Sequence, residues 1–416
     1  MRLFRNATHL CLAISLSLGF TASCCATPAA ADPVPAKLTL ERLLASPSLS
    51  GPGMRLLKIS PDGTRVAFLR GKDNDRQQLD LWEYHLEKKT QQLLIDSKIL
   101  QPKENISQEE LARRERNRSA GLRGIVDYSW SPDGKHILLP LADQLYRVEV
   151  AHPERAQLLT KGSISDAKIS PRGRYVSFLR EQNLFAIDTR DGKERQLTFD
   201  GKGTIHNGEP EFVAQEEMDQ HTGYWWAPDD SAIAFKRFDE SPVSIARRLE
   251  IHANRSEMVE QRYPYAGEAN VKVSLHLVAP DTDKAAIKNI DLGPNPDIYL
   301  TRVNWRADSK EVWFQRQSRD QQTLDLIAVN PATLAQRLVL TEKSKTWVEL
   351  HKDLRFLKQQ DAFIWASERT GYKHLYLYKN DGTLLRALTQ GEWLVDHVLN
   401  VDEAAGKVYF ASNKDD

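Results

Sequence analysis

Cysteine is nearly missing from this chain: 416 residues carry three, Cys11, Cys24 and Cys25. Past the first 31 residues there is none, which excludes a disulfide framework and a thiolate metal site. Charge of one sign is missing as well. Lysine and arginine number 57, aspartate and glutamate 57, so nothing favours a polyanion such as nucleic acid. No apolar run beyond the N-terminal segment is long enough to cross a bilayer. No G-x-S-x-G nucleophile elbow occurs; Gly162 is followed by Ser163 but lacks the rest of the pattern. His206, His221 and His374 therefore have no nucleophile to serve, and are expected on the surface or at strand edges. No His/Asp/Glu grouping has metal-ligand spacing. The residues thus call for no catalytic group, no metal and no cofactor.

The first 31 residues have the layout of a cleavable export signal. Arg2 and Arg5 precede an apolar stretch from Leu10 to Phe20, too short to span a bilayer, and small residues follow up to Ala31. The expectation is an exported, periplasmic or secreted protein cut near Ala31. A rival reading is a lipid anchor on Cys24. Thr21-Ala22-Ser23-Cys24 loosely fits a lipoprotein box, but with Thr21 where that box takes leucine. Residues 32–50 form a Pro-rich lead with a short helical stretch, Leu38 to Ala45.

From residue 51 onward a turn recurs. Ser60-Pro61-Asp62-Gly63 leads into Val66-Ala67-Phe68, Ser131-Pro132-Asp133-Gly134 into Ile137-Leu138-Leu139, and Ser170-Pro171-Arg172-Gly173 into Tyr175-Val176-Ser177-Phe178. Worn copies stand at Ala227-Pro228-Asp229-Asp230 and Ala307-Asp308-Ser309. Proline pre-sets the first φ of the turn, aspartate bonds its own backbone, and glycine accepts a positive φ. Two further units keep the strands without the turn, at Leu354–Trp365 and Val398–Phe410. Period-two segments such as Gln78–Tyr84, Gln144–Val148, Asn183–Ile187 and His374–Tyr378 supply outer strands. Each unit has an apolar face that it cannot bury alone, so the units must stack. The fold class is all-β: a β-propeller of four-stranded blades over 51–416, about seven blades with the last incomplete, and short helical insertions.

Two insertions interrupt the pattern. Residues 101–120 read as a charged helix, polar nearly all round, with Ser107 and Glu110 placed to form a capping box. The other runs through Glu209-Pro210-Glu211-Phe212-Val213-Ala214-Gln215-Glu216-Glu217-Met218, just before Trp225-Trp226. Helical neighbours diverge by about 100°, so Glu216 and Glu217 can embrace only a small object. A free peptide N-terminus is a cation with several donors and fits that geometry. The spacing alone fits a solvated acidic face as well, and by itself favours that plainer reading.

Glu211–Met218 with Trp225–Asp229, Arg262–Val273 and Ser367–Tyr376 resemble the dipeptidyl peptidase IV branch of the prolyl-oligopeptidase-like serine peptidases. The similarity runs from about residue 36 to the C-terminus. It implies an eight-bladed propeller that caps an α/β-hydrolase domain. Glu216 and Glu217 match the glutamate pair that holds the substrate's amino terminus, and the hydrolase domain supplies the triad. The substrates implied are peptides with a free N-terminus and Pro or Ala second, releasing X-Pro or X-Ala dipeptides. A propeller arginine assists the substrate backbone in that family; Arg113, Arg114 and Arg116 are the candidates here. With no nucleophile elbow, the expectation is a form truncated before the hydrolase domain and inactive alone. A homodimer stays open for a full-length form. The competing reading is a non-enzymatic periplasmic propeller that scaffolds other proteins.

Overall fold

The computed structural model describes residues 37–45, 49–51, 53–101, 103, 106, 110–111, 114–115 and 118–414. The export signal, Cys24, the expected helix cap Ser107 and two of the three candidate arginines, Arg113 and Arg116, lie outside them. The chain divides into two units at Ala45/Ser46. In the first, α1 (Leu40–Leu44) starts where the Thr39 hydroxyl accepts the Arg42 amide at 3.2 Å, within the helical stretch expected there.

The second unit is a series of antiparallel meanders. The first holds β1 (Met54–Ile59), β2 (Arg65–Lys72), β3 (Asp75–His85) and β4 (Thr90–Ile95). After α2 (Ser97–Leu100), β5 (Arg123–Gly124) adds to β3 in parallel. The second holds β6 (Ser129–Trp130), β7 (His136–Leu141), β8 (Gln144–Glu149) and β9 (Gln157–Lys161). The third holds β10 (Ser165–Ile169), β11 (Tyr175–Arg180), β12 (Asn183–Asp188) and β13 (Glu194–Gln196). The fourth is interrupted twice. It starts as β14 (Ile205–Asn207), passes through α3 (Phe212–Glu216) and resumes as β15 (Tyr224–Trp226) and β16 (Ile233–Asp239). A hairpin of β17 (Ile245–Ile251) and β18 (Ser256–Arg262) follows, and β19 (Lys272–Val278) and β20 (Lys288–Ile290) complete the sheet. The fifth holds β21 (Ile298–Trp305), β22 (Val312–Ser318), β23 (Thr323–Val329) and β24 (Gln336–Lys343). The sixth holds β25 (Arg355–Phe356), β26 (Ala362–Ser367), β27 (His374–Lys379) and β28 (Leu384–Ala387). Last comes the two-stranded pair β29 (Val395–Asp402) and β30 (Lys407–Ser412). These are propeller blades, as the repeat requires.

The core lies between blades rather than within them. Ala67, Leu69 and Leu81 of blade 1 share one buried cluster with Ile137, Leu139 and Val148 of blade 2. Corresponding clusters join blades 2 and 3, 3 and 4, 4 and 5, 5 and 6, and 6 and 7. A central strand therefore buries both faces, which is why β26 is buried along its whole length. Period two marks a half-buried strand, yet Asn183–Ile187 and His374–Tyr378, expected as outer strands, fall in β12 and β27, the third strands of their blades, and are largely buried on both faces.

The recurring turns behave as their chemistry dictates, with one addition. Asp62 Oδ1 accepts the Ser60 hydroxyl at 2.6 Å and the Thr64 amide at 3.0 Å. Its carboxyl is held down to about 2, chiefly by that Ser60 bond. Asp133 repeats the pattern at 2.5 and 3.0 Å. The addition is that each turn stacks on the preceding one. A Cβ placed on Gly134 would touch Pro61, and one on Gly173 would touch Pro132. Asp230 and Ser309 occupy the same left-handed position, with φ of 64° and 59°, and use their side chains for that contact. The Asp230 carboxylate accepts the Ser170 hydroxyl at 2.6 Å and the Arg172 amide at 2.9 Å. Ser309 Oγ accepts the Asp229 amide at 3.0 Å. The third turn has Arg172 where its siblings carry aspartate, and the next blade lends it the missing carboxylate.

A stability effect follows. Asp230→Ala leaves the buried Ser170 hydroxyl without its acceptor, at roughly 1–3 kcal/mol, and leaves the part-buried Arg172 amide to water. Adding Arg172→Asp rebuilds the acceptor inside the turn and should recover most of the loss. Urea unfolding followed by circular dichroism reads both; a double variant no more stable than Asp230→Ala would refute the loan.

Candidate functional site

The blade-4 insertion is a closed loop on β16. β14 pairs with the Arg237–Asp239 end of that strand and β15 with the Ile233–Phe235 end. Lys236 faces the gap between them. Its carbonyl accepts the Gly208 amide at 2.8 Å, and its amide donates to the Gly223 carbonyl at 2.7 Å. Gly223 in turn donates to Gly208 at 3.1 Å. This neck has no room for side chains: a Cβ on Gly223 would sit 2.4 Å from the Glu209 backbone.

Inside the loop, α3 makes barely more than one turn. Gln215 donates its amide to the Glu211 carbonyl and Glu217 to that of Val213, at 3.0 and 2.9 Å. Asp219 ends it in the left-handed region, φ 51°, a conformation aspartate tolerates. Ala214 and Met218 lie one helical turn apart and are buried with Tyr299 of β21; Val213 and Leu350 pack against them. That seating turns Glu216 and Glu217 outward, and both are exposed.

The two carboxylates part company. Glu216 lines an open depression of about 550 Å³ with Phe212, Glu115, Arg118, Arg248 and Glu260. Glu217 lines another, of about 460 Å³, with Arg302, Lys352, Asp353, Lys373 and His397 among its walls. The Glu217 carboxylate has no hydrogen-bond or ion-pair partner among the described residues. Beside it, Asp219 is tied to Lys352 and bonded to His221 at 2.7 Å; the Lys352 bond leads in holding its carboxyl below the usual range. Burial pushes the His351 ring down to about 4, so at neutral pH it adds no charge there. Burial also lowers Arg302, whose Nε is buried without a partner. Lys373 pairs with Asp353 at 3.0 Å.

The other insertion departs from expectation. Glu110–Leu111 and Arg114–Glu115 are helical, but the segment is not polar and solvated all round. Arg114 is 1% exposed. Its Nε bonds Glu110 at 2.8 Å and its Nη1 the Leu122 carbonyl at 3.1 Å. A guanidinium so engaged fixes the segment and is not presented to a substrate backbone. Among the described residues of this segment, the arginine that lines the Glu216 depression is Arg118, which spacing did not single out. The hairpin residues Arg248 and Glu260 were likewise not singled out, since nothing local ties them to the loop. His374 is also corrected: it is buried, bonded at 3.0 Å to Thr389 Oγ1 and to the Gly391 carbonyl. His206 stacks on Phe238 with centroids 4.5 Å apart.

One cluster that spacing did not show is Glu250, His252 and Glu257 at the hairpin tip, with ligand atoms within 4.8 Å of one another. Arg248 and Arg255 already pair with its two carboxylates at 2.7 and 3.4 Å. Among the described residues no helix is long and apolar enough to cross a membrane.

Comparison with known proteins bears on family and fold. The model of the dipeptidyl peptidase IV N-terminal region matches residues 131–416, and the chain belongs to that family. A probable dipeptidyl peptidase 4 of Aspergillus fumigatus is 28% identical over 268 residues, covering 61% of this chain and 35% of that protein. The dipeptidyl peptidase 4 of Arthroderma otae is 26% identical over 267 residues, covering 61% and 34%. The match thus spans about a third of the length of these relatives. The crystal structure of Porphyromonas gingivalis dipeptidyl peptidase 4 superposes with a TM-score of 0.70 at 26% identity, over 86% of this chain and half of that one. A putative dipeptidyl aminopeptidase IV from Bacteroides ovatus gives 0.65 at 21% identity, over 90% and 52%, a likeness of fold.

Proposed function

We propose that this chain is the substrate-access and N-terminus-anchoring propeller of an exported serine dipeptidyl peptidase. Glu216 and Glu217 grip the ammonium of a peptide, and a hydrolase domain outside these residues supplies the nucleophile. The observation that carries the reading is the seating of α3: its apolar side is buried, and two adjacent carboxylates are presented on a rigid, Gly-necked loop. Because the two line separate depressions, an ammonium that offers donors to both must sit between them at the end of α3 rather than inside either depression. With the amine fixed, two residues reach about 7 Å at roughly 3.3–3.6 Å each, which sets cleavage after the second. The family match and the names of its relatives support the reaction class. The inserted segment's arginine contribution is assigned to Arg118.

Calorimetry with an alanyl-prolyl tripeptide and its N-acetylated form tests the reading. Acetylation removes the cation and should abolish binding. Affinity should also fall as pH rises through about 7.7–8.0, where a free amine loses its proton. Equal affinity for both peptides would favour a scaffold that does not anchor amines.

A further inference from the structure

The structure assigns Lys236 as the positioning residue of the amine-anchoring loop. Its backbone closes the neck at Gly208 and Gly223, and its side chain enters the loop from below. The ammonium is fully buried, 2.7 Å from the Glu211 carboxylate, itself 4% exposed. It lies 3.0 Å from Gln220 Oε1. Glu211 immediately precedes α3 and Gln220 lies just past its end, its amide reaching back to the Ala214 carbonyl at 2.9 Å. One buried cation therefore ties both ends of the helix to β16.

The local chemistry shows what is given up for this. Glu211 stands at the helix N-cap but makes no side-chain cap bond; its carboxylate is spent on Lys236 instead. A helix this short has little stability of its own. Its orientation must come from tertiary contacts, and on the underside these are the Lys236 cluster and the seat of Ala214 and Met218. Breaking a buried pair by removing one partner leaves an uncompensated charge. Without the lysine, the Glu211 carboxylate is left as an uncompensated buried charge immediately before α3, and relieving it displaces the start of the helix. The spacing of Glu216 and Glu217 from the blade then changes although neither touches Lys236.

This inference rests on the amine-anchoring reading, and its test separates the two. Lys236→Met keeps the stem and removes the cation; Glu211→Gln keeps the packing and removes the anion. Hydrogen exchange is followed in wild type and both variants, alongside affinity for the alanyl-prolyl tripeptide. The expected result is exchange at least tenfold faster across 208–223, with blades 1, 2 and 6 unchanged, and peptide affinity at least tenfold lower. Restoring the charge with Lys236→Arg should bring exchange partway back. Unchanged exchange over 208–223 in both single variants overturns the clamp, whatever the peptide does. If wild type shows no preference for the free amine, the anchoring reading fails, and local acceleration of exchange still upholds the clamp.

Discussion

Replacing Glu216 and Glu217 together by alanine should lower affinity for the alanyl-prolyl tripeptide by about a hundredfold or more. Hydrogen bonds to charged groups contribute about 1.5–3 kcal/mol each, so each carboxylate accounts for about a tenfold to a hundredfold share. Both side chains are exposed, so the change should leave the fold intact. The informative control is the N-acetylated peptide. If the carboxylates act on the ammonium, the double variant binds both peptides equally weakly, because the interaction has been removed from one side or the other. A variant that retains wild-type affinity for the free-amine peptide would end the anchoring proposal. In a form that carries the hydrolase domain, the same variant should lose dipeptide release mainly through KM.

The second large effect concerns how blades hold one another. Trp313 on β22 is fully buried and meets Phe356 and Phe363 of blade 6 edge-on, with centroids 4.8 and 5.1 Å apart. Its indole N–H donates to Glu311 at 2.9 Å. Trp313→Ala opens a cavity at the blade 5/6 junction and should cost about 3–5 kcal/mol. Trp347, 56% exposed, gives the contrast: its alanine variant should stay within about 0.5 kcal/mol of wild type. Denaturant midpoints by far-ultraviolet circular dichroism compare the two. Equal losses would mean that stability does not reside at the junctions. Unlike the junctions, both ends of the blade series leave apolar side chains uncovered: Ile59 on β1 is 67% exposed and Leu399 on β29 63%.

Much of the fold was legible because its signals are local. A Ser-Pro-Asp-Gly turn specifies its own geometry within four residues, so Asp62 and Asp133 bond as their chemistry dictates. The worn turns were harder. Asp230 reads as a spoiled glycine, yet its side chain serves Ser170 in the preceding blade, 60 residues away. The β17–β18 hairpin was legible only as extra length between turns. In the inserted segment charge suggested solvent, but Arg114 and Glu110 sit four apart and neutralise each other, so burial was open to them.

The sequence by itself determined the blade repeat, the strand order and the adjacency of Glu216 and Glu217, since turn propensities and helical spacing act over a few residues. Tertiary structure alone decided that these carboxylates face separate depressions, that Arg118 rather than Arg114 stands near one of them, and that Lys236 braces the loop from 25 residues beyond Glu211. Burial and charge pairing are settled by which segments meet in space, and the stacking of whole blades governs those meetings.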